Sequence, residues 1–208
     1  MVKGKRKEET IIIIGYIILV IQIWNHLPYY YSNNRTADYT SKENDMLNKY
    51  LFLDINGVLD TYRYREILKK YSQHFIDENG LLYDPKVILN LERIIEATDA
   101  KIVITSTWRL HDDMKALWHS WGLAGEVVGV TSTVLKEKAI GKFRVHYGHR
   151  GMEVEEWLQN NATEPYNYAI LDDGDDFLPH QANHLVLTNP YDGLTKEIAD
   201  RVIEILLR

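Results

Sequence analysis

Cysteine is absent from the 208 residues. The chain therefore has no disulfide, no thiolate metal ligand and no cysteine nucleophile, and any metal must be held by oxygen or histidine. Among the histidines, His146 and His149 stand close together without a nearby third ligand, which makes zinc a poor fit. Positive charge is in short supply: 24 Lys and Arg against 30 Asp and Glu give a net charge of -6. That balance argues against binding nucleic acid by bulk attraction, although a local basic groove is compatible with it. No Gly-x-Ser-x-Gly elbow occurs, which excludes the usual Ser-His-Asp hydrolase pattern. The run Asp172-Asp173-Gly174-Asp175-Asp176 lacks the twelve-residue spacing and terminal glutamate of a calcium loop. There is no internal repeat. What is present, 45% hydrophobic and 26% charged residues, suits one globular domain plus an extension.

The extension is the amino-terminal part. Lys3, Lys5, Arg6 and Lys7 precede an apolar run from Ile11 to Ile21, and Trp24 and Tyr29 to Tyr31 follow it. A membrane-spanning helix needs about 20 apolar residues, with ~17 as a lower limit. The stretch from Thr10 to Leu27 reaches that only by including Gln22, Asn25 and His26. A cleaved signal peptide would end in small residues, which His26-Leu27-Pro28 does not supply. Residues 1–31 are therefore read as a basic amino terminus followed by an uncleaved transmembrane signal anchor, with the amino terminus cytoplasmic and the body on the opposite side. A secreted form after signal cleavage is the alternative, and a buried soluble helix is the third. Residues 32–48 are polar, without apolar period, and read as a linker.

From residue 49 to residue 208 strand and helix signals alternate, as in a mainly parallel sheet flanked by helices. Expected strands are Leu51 to Asp54, Lys101 to Ser106, Tyr168 to Asp173 and His184 to Thr188, with a short apolar run at Gly125 to Val130. Helices are expected from Pro85 through Ile95, near Asp112 to Trp121, near Met152 to Gln159, and from Thr195 to Leu207. Inward positions would be Val87, Leu89, Leu91, Ile94 and Ile95 in the first helix, and Ile198, Val202, Ile203 and Leu206 in the last.

Three of the strands run into chemically competent residues: Asp54, then Thr105 and Ser106, then Asp172 and Asp173. In a parallel sheet these ends share one edge, where open α/β sheets bind ligands. Carboxylates gathered there repel unless a cation joins them. Mg²⁺ fits best, because it takes oxygen ligands and commonly binds one or two carboxylates together with a substrate phosphate. Gly57 would let backbone amides approach an anion, and Thr105 and Ser106 would donate to phosphoryl oxygens. A positive side chain is also wanted there. Arg150 is the first candidate, followed by Lys142, Lys138 and Arg109; Arg109 either braces the loop after Thr107-Trp108 or touches substrate.

The motifs Phe52-Leu53-Asp54-Ile55-Asn56-Gly57-Val58-Leu59, Ile104-Thr105-Ser106-Thr107-Trp108-Arg109, Arg150-Gly151-x-Glu153-Val154-x-x-Trp157-Leu158, Ile170-Leu171-Asp172-Asp173 and Gly193-Leu194-Thr195 resemble the haloacid dehalogenase (HAD) superfamily. The resemblance is narrower to the HAD domain of Swiss Army Knife RNA-repair proteins, and covers about residues 49–208. It implies a Rossmann-like HAD fold with a small cap or none, Mg²⁺ as cofactor, and phosphomonoester hydrolysis through a phospho-aspartate on Asp54. It further implies that Thr105 or Ser106 and Arg150 hold phosphate, that Thr107 lies beside the substrate, and that Asp54, the backbone carbonyl of Asn56, and Asp172 or Asp173 bind the metal. Nucleotides or nucleic-acid ends are the implied substrates.

One position departs from the family pattern. Asn56 stands where the superfamily carries a second aspartate that works as general acid and base. A neutral amide cannot move that proton, a contribution worth about a hundred- to ten-thousand-fold. A good leaving group, a substitute such as Asp60 or a histidine, or loss of turnover are the three ways to accommodate it. Between the first two motifs, Tyr62 to Tyr83 mixes Tyr62, Tyr64, Tyr71 and His74 with Arg63, Arg65, Lys69 and Lys70. That composition fits a nucleotide-stacking surface or an amphipathic helix with a solvated face.

Overall fold

Leu51, Phe52 and Leu53 are fully buried because their strand, β1 (Asn48–Leu53), runs through the middle of a sheet covered on both faces. The computed structural model describes residues 47–71, 76–77, 80–81, 83–110, 113–133, 135–140 and 143–208. The apolar stretch at Thr10 to Leu27, nearly all of the linker, His74, His111 and Lys142 lie outside them. Among the described residues, no helix is long and apolar enough to cross a membrane.

The remaining elements follow in chain order. After β1 come α1 (Tyr62–Lys70), the short strands β2 (Ile76–Asp77) and β3 (Gly80–Leu81), α2 (Pro85–Thr98) and β4 (Lys101–Ile104). A 3-10 turn over Thr107–Leu110 leads to α3 (Met114–Ser120) and β5 (Val127–Val130). Then follow β6 (Leu135–Ile140) and β7 (Phe143–Gly148), α4 (Arg150–Asn161), β8 (Tyr166–Asp172), β9 (Leu185–Leu187) and α5 (Lys196–Leu206). The five-stranded sheet has the order β5-β4-β1-β8-β9, and every pair in it is parallel. The chain winds outward from β1 in both directions, so the carboxyl end of β1 is the point where strand order reverses.

Alternation along each strand divides the core. Leu51, Leu53, Ile102, Ile104, Ala169 and Leu171 face one side, where α2, α3 and α5 cover them with residues such as Leu91, Trp118 and Val202. Tyr50, Phe52, Val103, Tyr168 and Ile170 face the other, packed against Val154, Trp157 and Leu158 of α4. The Trp157 ring meets Tyr50 and Phe52 edge-on, with centroids 5.1 and 5.5 Å apart, a favoured aromatic geometry.

Helix starts follow their capping residues. Asp84 accepts from the Lys86 amide at 2.9 Å ahead of Pro85, and Thr195 caps α5, as short polar caps and an early proline predict. One sequence expectation needs correction. Leu89 is exposed, because it lies about 200° around α2 from the buried Val87 at ~100° per residue. In α5, Ala199 and Ile205 complete the buried stripe with Val202 and Leu206, whereas Ile198 and Ile203 are partly buried. The antiparallel pairs β2-β3 and β6-β7 were not anticipated; both are small insertions, in keeping with a small cap or none.

Candidate active site

The sheet register brings the three chemical strand ends level. The Asp54 amide donates to the Leu171 carbonyl at 3.0 Å, the Thr105 amide to the Leu53 carbonyl at 2.9 Å, and the Thr188 amide to the Asp172 carbonyl at 2.9 Å. Asp54, Thr105, Ser106 and Asp172 are buried. Each of Asp54, Asp172 and Asp173 offers a carboxylate oxygen within 4.8 Å of the others. A cleft of about 460 Å³ opens over this edge, lined by Thr107, Arg109, Thr133, Arg150, Asp172 and Asp173 among others.

Burial pushes the Asp54 carboxyl up, and Asp173 adds to that, while Arg150 pulls it back. Asp172 is pushed up to about 7, chiefly by burial and then by the neighbouring Asp54. Burial and like charge both disfavour the ionised form. Several buried polar atoms here also have no protein partner: Thr105 Oγ1, Ser106 Oγ, Asp172 Oδ2 and Arg150 Nη1. The Ser106 hydroxyl lies near enough to Asp54 to lower its pKa without meeting hydrogen-bond geometry. Each unsatisfied buried group costs about 1–3 kcal/mol. An unpaired Asp172 oxygen among three converging carboxylates is what a divalent cation would satisfy, so the donor set fits a hard metal.

Arg150 is the first residue of α4, two positions earlier than the sequence suggested. His149 caps the helix by accepting from the Met152 amide at 3.4 Å. From there the Arg150 guanidinium reaches back over the sheet edge, with Nη2 3.5 Å from Asp54 Oδ1. Gly151 permits this docking. A Cβ there would lie 2.5 Å from the Leu178 nitrogen, and the buried Gln181 locks the junction by donating to the Gly151 carbonyl at 2.9 Å and accepting from the Leu178 amide at 2.9 Å.

Arg109 is the brace of the site. Its side chain is 4% exposed and donates to Glu153 Oε2 at 2.7 Å, with the Glu153 side chain 2% exposed. It also donates to the carbonyls of Thr105, of Ser106 at 2.7 Å and of Thr131 at 2.9 Å. One guanidinium thus ties the loop after β4 to the first turn of α4. Although Arg109 lines the cleft, every nitrogen of its guanidinium already has a protein acceptor. Lys138 falls on β6, and Thr107 is exposed at the cleft wall.

Asn56 is exposed on the loop after β1, and its Oδ1 accepts from Trp108 Nε1 at 3.3 Å. Gly57 follows with φ 74°. Any Cβ at that position would collide with the Asp173 carboxylate, so glycine is required both by conformation and by space. Asp60, the possible substitute acid, is 6% exposed; Arg65 grips both its oxygens, with Nε to Oδ1 at 2.7 Å.

The surface around α1 has less free charge than its sequence suggested. Arg63 pairs with Asp84 at 3.2 Å and Asp192 at 3.5 Å, and Arg65 pairs with Asp60. Tyr62 and Tyr71 are exposed. A separate cleft beside Arg63, Lys86, Asn90 and Lys196 brings together no comparable set of groups. Sequence reasoning also missed Gln181 and the pairing of Trp108 with Asn56. Gln181 carried no local signal; both members of the second pair stood inside recognised motifs.

A doubly covered parallel sheet with an aspartate at its switch point, hydroxyls on one neighbouring strand end and carboxylates on the other, defines a HAD-type hydrolase domain. The model of the HAD domain in Swiss Army Knife RNA repair proteins matches residues 50–199, and the chain belongs to that family. No curated protein and no solved structure matches the chain.

Proposed function

We propose that this domain is a magnesium-dependent phosphatase that takes the phosphoryl group of its substrate onto Asp54. The observation that carries the reading is the buried Asp54 carboxylate facing Arg150 at 3.5 Å, ringed by buried hydroxyls that lack protein partners. Asp54 is the nucleophile. Arg150 and the Thr105 and Ser106 hydroxyls hold the phosphoryl oxygens, and the Gly57 backbone and Thr107 border the substrate. Arg109 positions the Thr105-Ser106 loop, and Lys142 is a second candidate cation. Asp54, the Asn56 carbonyl, Asp172 and Asp173 would hold Mg²⁺, which when bound offsets the repulsion between carboxylate and phosphate.

Family membership favours a nucleotide or nucleic-acid end as substrate. The acidic rim and the paired arginines argue for entry of a terminal phosphate into an open cleft rather than for adhesion along a strand. Hydrolysis of an aryl phosphate with Mg²⁺, compared among wild type, Asp54→Asn and Asn56→Asp, tests the reading. Activity in wild type that disappears in Asp54→Asn supports it; activity untouched by Asp54→Asn refutes the nucleophile. A second reading, a phosphate-binding or scaffolding module, is favoured by Asn56 itself, and would be established if only Asn56→Asp turned over.

The amino-terminal segment is proposed as a signal anchor that holds the domain across the membrane from the cytoplasm. A carboxy-terminally tagged chain should remain with membranes through alkaline wash. Release into the supernatant would end the anchor.

A further inference from the structure

A departing oxygen with the basicity of an alkoxide needs a proton, and the loops at this sheet edge offer few groups to give one. Among the described residues, Asp54 is the nucleophile of the proposed reaction, and Asp172 and Asp173 belong to the metal set. Asp60 is gripped on both oxygens by Arg65, and Glu153 is paired with Arg109. His149 spends Nδ1 on the Met152 amide and turns Nε2 toward Asp176 at 3.6 Å. Asp176 Oδ2 in turn accepts from the Arg150 amide at 3.4 Å.

Asn56 remains, and its orientation is determined. An indole N–H is a donor only, so the Asn56 oxygen must be the atom facing Trp108 at 3.3 Å. The amide NH₂ is thereby left as the free end. Trp108 is itself fixed, edge-on to Trp121 at 5.8 Å, which packs edge-on against Tyr83 at 5.7 Å. An aromatic ladder thus fixes, by its oxygen, the amide two residues after the nucleophile.

We infer that the site takes phosphoryl donors whose leaving group departs without a proton, a phosphoanhydride or an acyl phosphate, and that Asn56 steadies the departing oxygen by donating to it. This rests on the phospho-aspartate reading above. In the first step an Asp54 oxygen bonds to phosphorus as the P–O bond to the leaving group breaks. The electron pair leaves on the oxygen of a phosphate or carboxylate anion, stable without protonation. In the second, water attacks phosphorus, the P–O bond to Asp54 breaks, the carboxylate is restored and the phosphate product takes up the proton of the water. Among the described residues no side chain is placed to accelerate that second proton movement, so phospho-Asp54 accumulates.

The test measures phosphorylation of residue 54 by mass spectrometry and phosphate release, with Mg²⁺, for acetyl phosphate, aryl phosphates of graded phenol acidity and glycerol phosphate. The full chain is used as wild type, Asn56→Asp and Trp108→Phe. Wild type should phosphorylate rapidly with acetyl phosphate and release phosphate slowly. Its rates should fall with leaving-group basicity about a hundred- to ten-thousand-fold more than those of Asn56→Asp, the range that positioned acid catalysis supplies. Trp108→Phe keeps the ring stack but frees the amide, and should slow phosphorylation by acetyl phosphate without flattening the series. Equal slopes in wild type and Asn56→Asp, with phospho-Asp54 formed in both, overturn the substrate class and leave the phosphatase standing. Absence of any adduct on residue 54 in all three proteins overturns the phosphatase reading itself.

Discussion

Replacing Asp172 by asparagine should stabilise the metal-free protein at neutral pH and destabilise it, relative to wild type, when Mg²⁺ is abundant. Asp172 is 3% exposed, and its carboxyl rises from 3.8 to about 7 in the folded state, first through burial and then through Asp54. A carboxyl that holds its proton more tightly when folded loses stability as pH climbs from the unfolded value to the folded one, because the unfolded chain ionises first. The penalty is therefore nil near pH 3, grows between about 4 and 7, and is complete above 7. At ~1.4 kcal/mol per pH unit the full rise amounts to about 4 kcal/mol, an upper bound. Half of that would still shift Tm by about 4–8 °C in a domain of this size. Asparagine keeps the oxygen that accepts from the Gly174 amide at 2.8 Å and puts a neutral NH₂ where Oδ2 has no partner.

Thermal unfolding from pH 4 to pH 8, with chelator or with saturating Mg²⁺, reads the effect. Wild type and Asp172→Asn should nearly coincide at pH 4 with chelator and diverge toward pH 8, with the variant higher. Added Mg²⁺ should raise wild type and leave the variant nearly unmoved. Parallel curves at every pH in chelator would refute the electrostatic reasoning. A Mg²⁺ response equal in both proteins would remove Asp172 from the metal set.

Three further outcomes follow from the geometry. Glu153→Ala strands the buried Arg109 charge and should cost about 3–5 kcal/mol, seen as a lower urea midpoint with unchanged slope. Gly57→Ala, at φ 74° and against Asp173, should weaken Mg²⁺ binding about tenfold or more by calorimetry, as even 1.4 kcal/mol of displacement would. Gly151→Ala presses on the Leu178 backbone and should slow Asp54 phosphorylation by shifting Arg150; phosphorylation at the wild-type rate would show that the docking of α4 has slack.

The strand ends were readable because each is a short, fully apolar run that stops abruptly at a carboxylate or a hydroxyl, a pattern that survives without knowledge of partners. The Arg109–Glu153 and Trp108–Asn56 contacts were not, since their members lie 44 and 52 residues apart and meet only once α4 and the loop after β4 are placed. Leu135-Lys136-Glu137-Lys138-Ala139-Ile140 alternates too weakly to announce a strand, so the β6-β7 pair went unread. Leu89 belongs to the apolar pattern of α2, yet its angle around the helix turns it to solvent.

Among the described residues, α4 is the helix that roofs one face of the sheet, with Phe177 beside it, and that same helix begins at Arg150. A guest that draws the guanidinium toward the sheet edge therefore also clamps the roof over Tyr50, Phe52 and Ile170. Filling the cleft and sealing that flank become a single event, so amide exchange beneath Trp157 should slow when phosphate chemistry engages an edge several residues away.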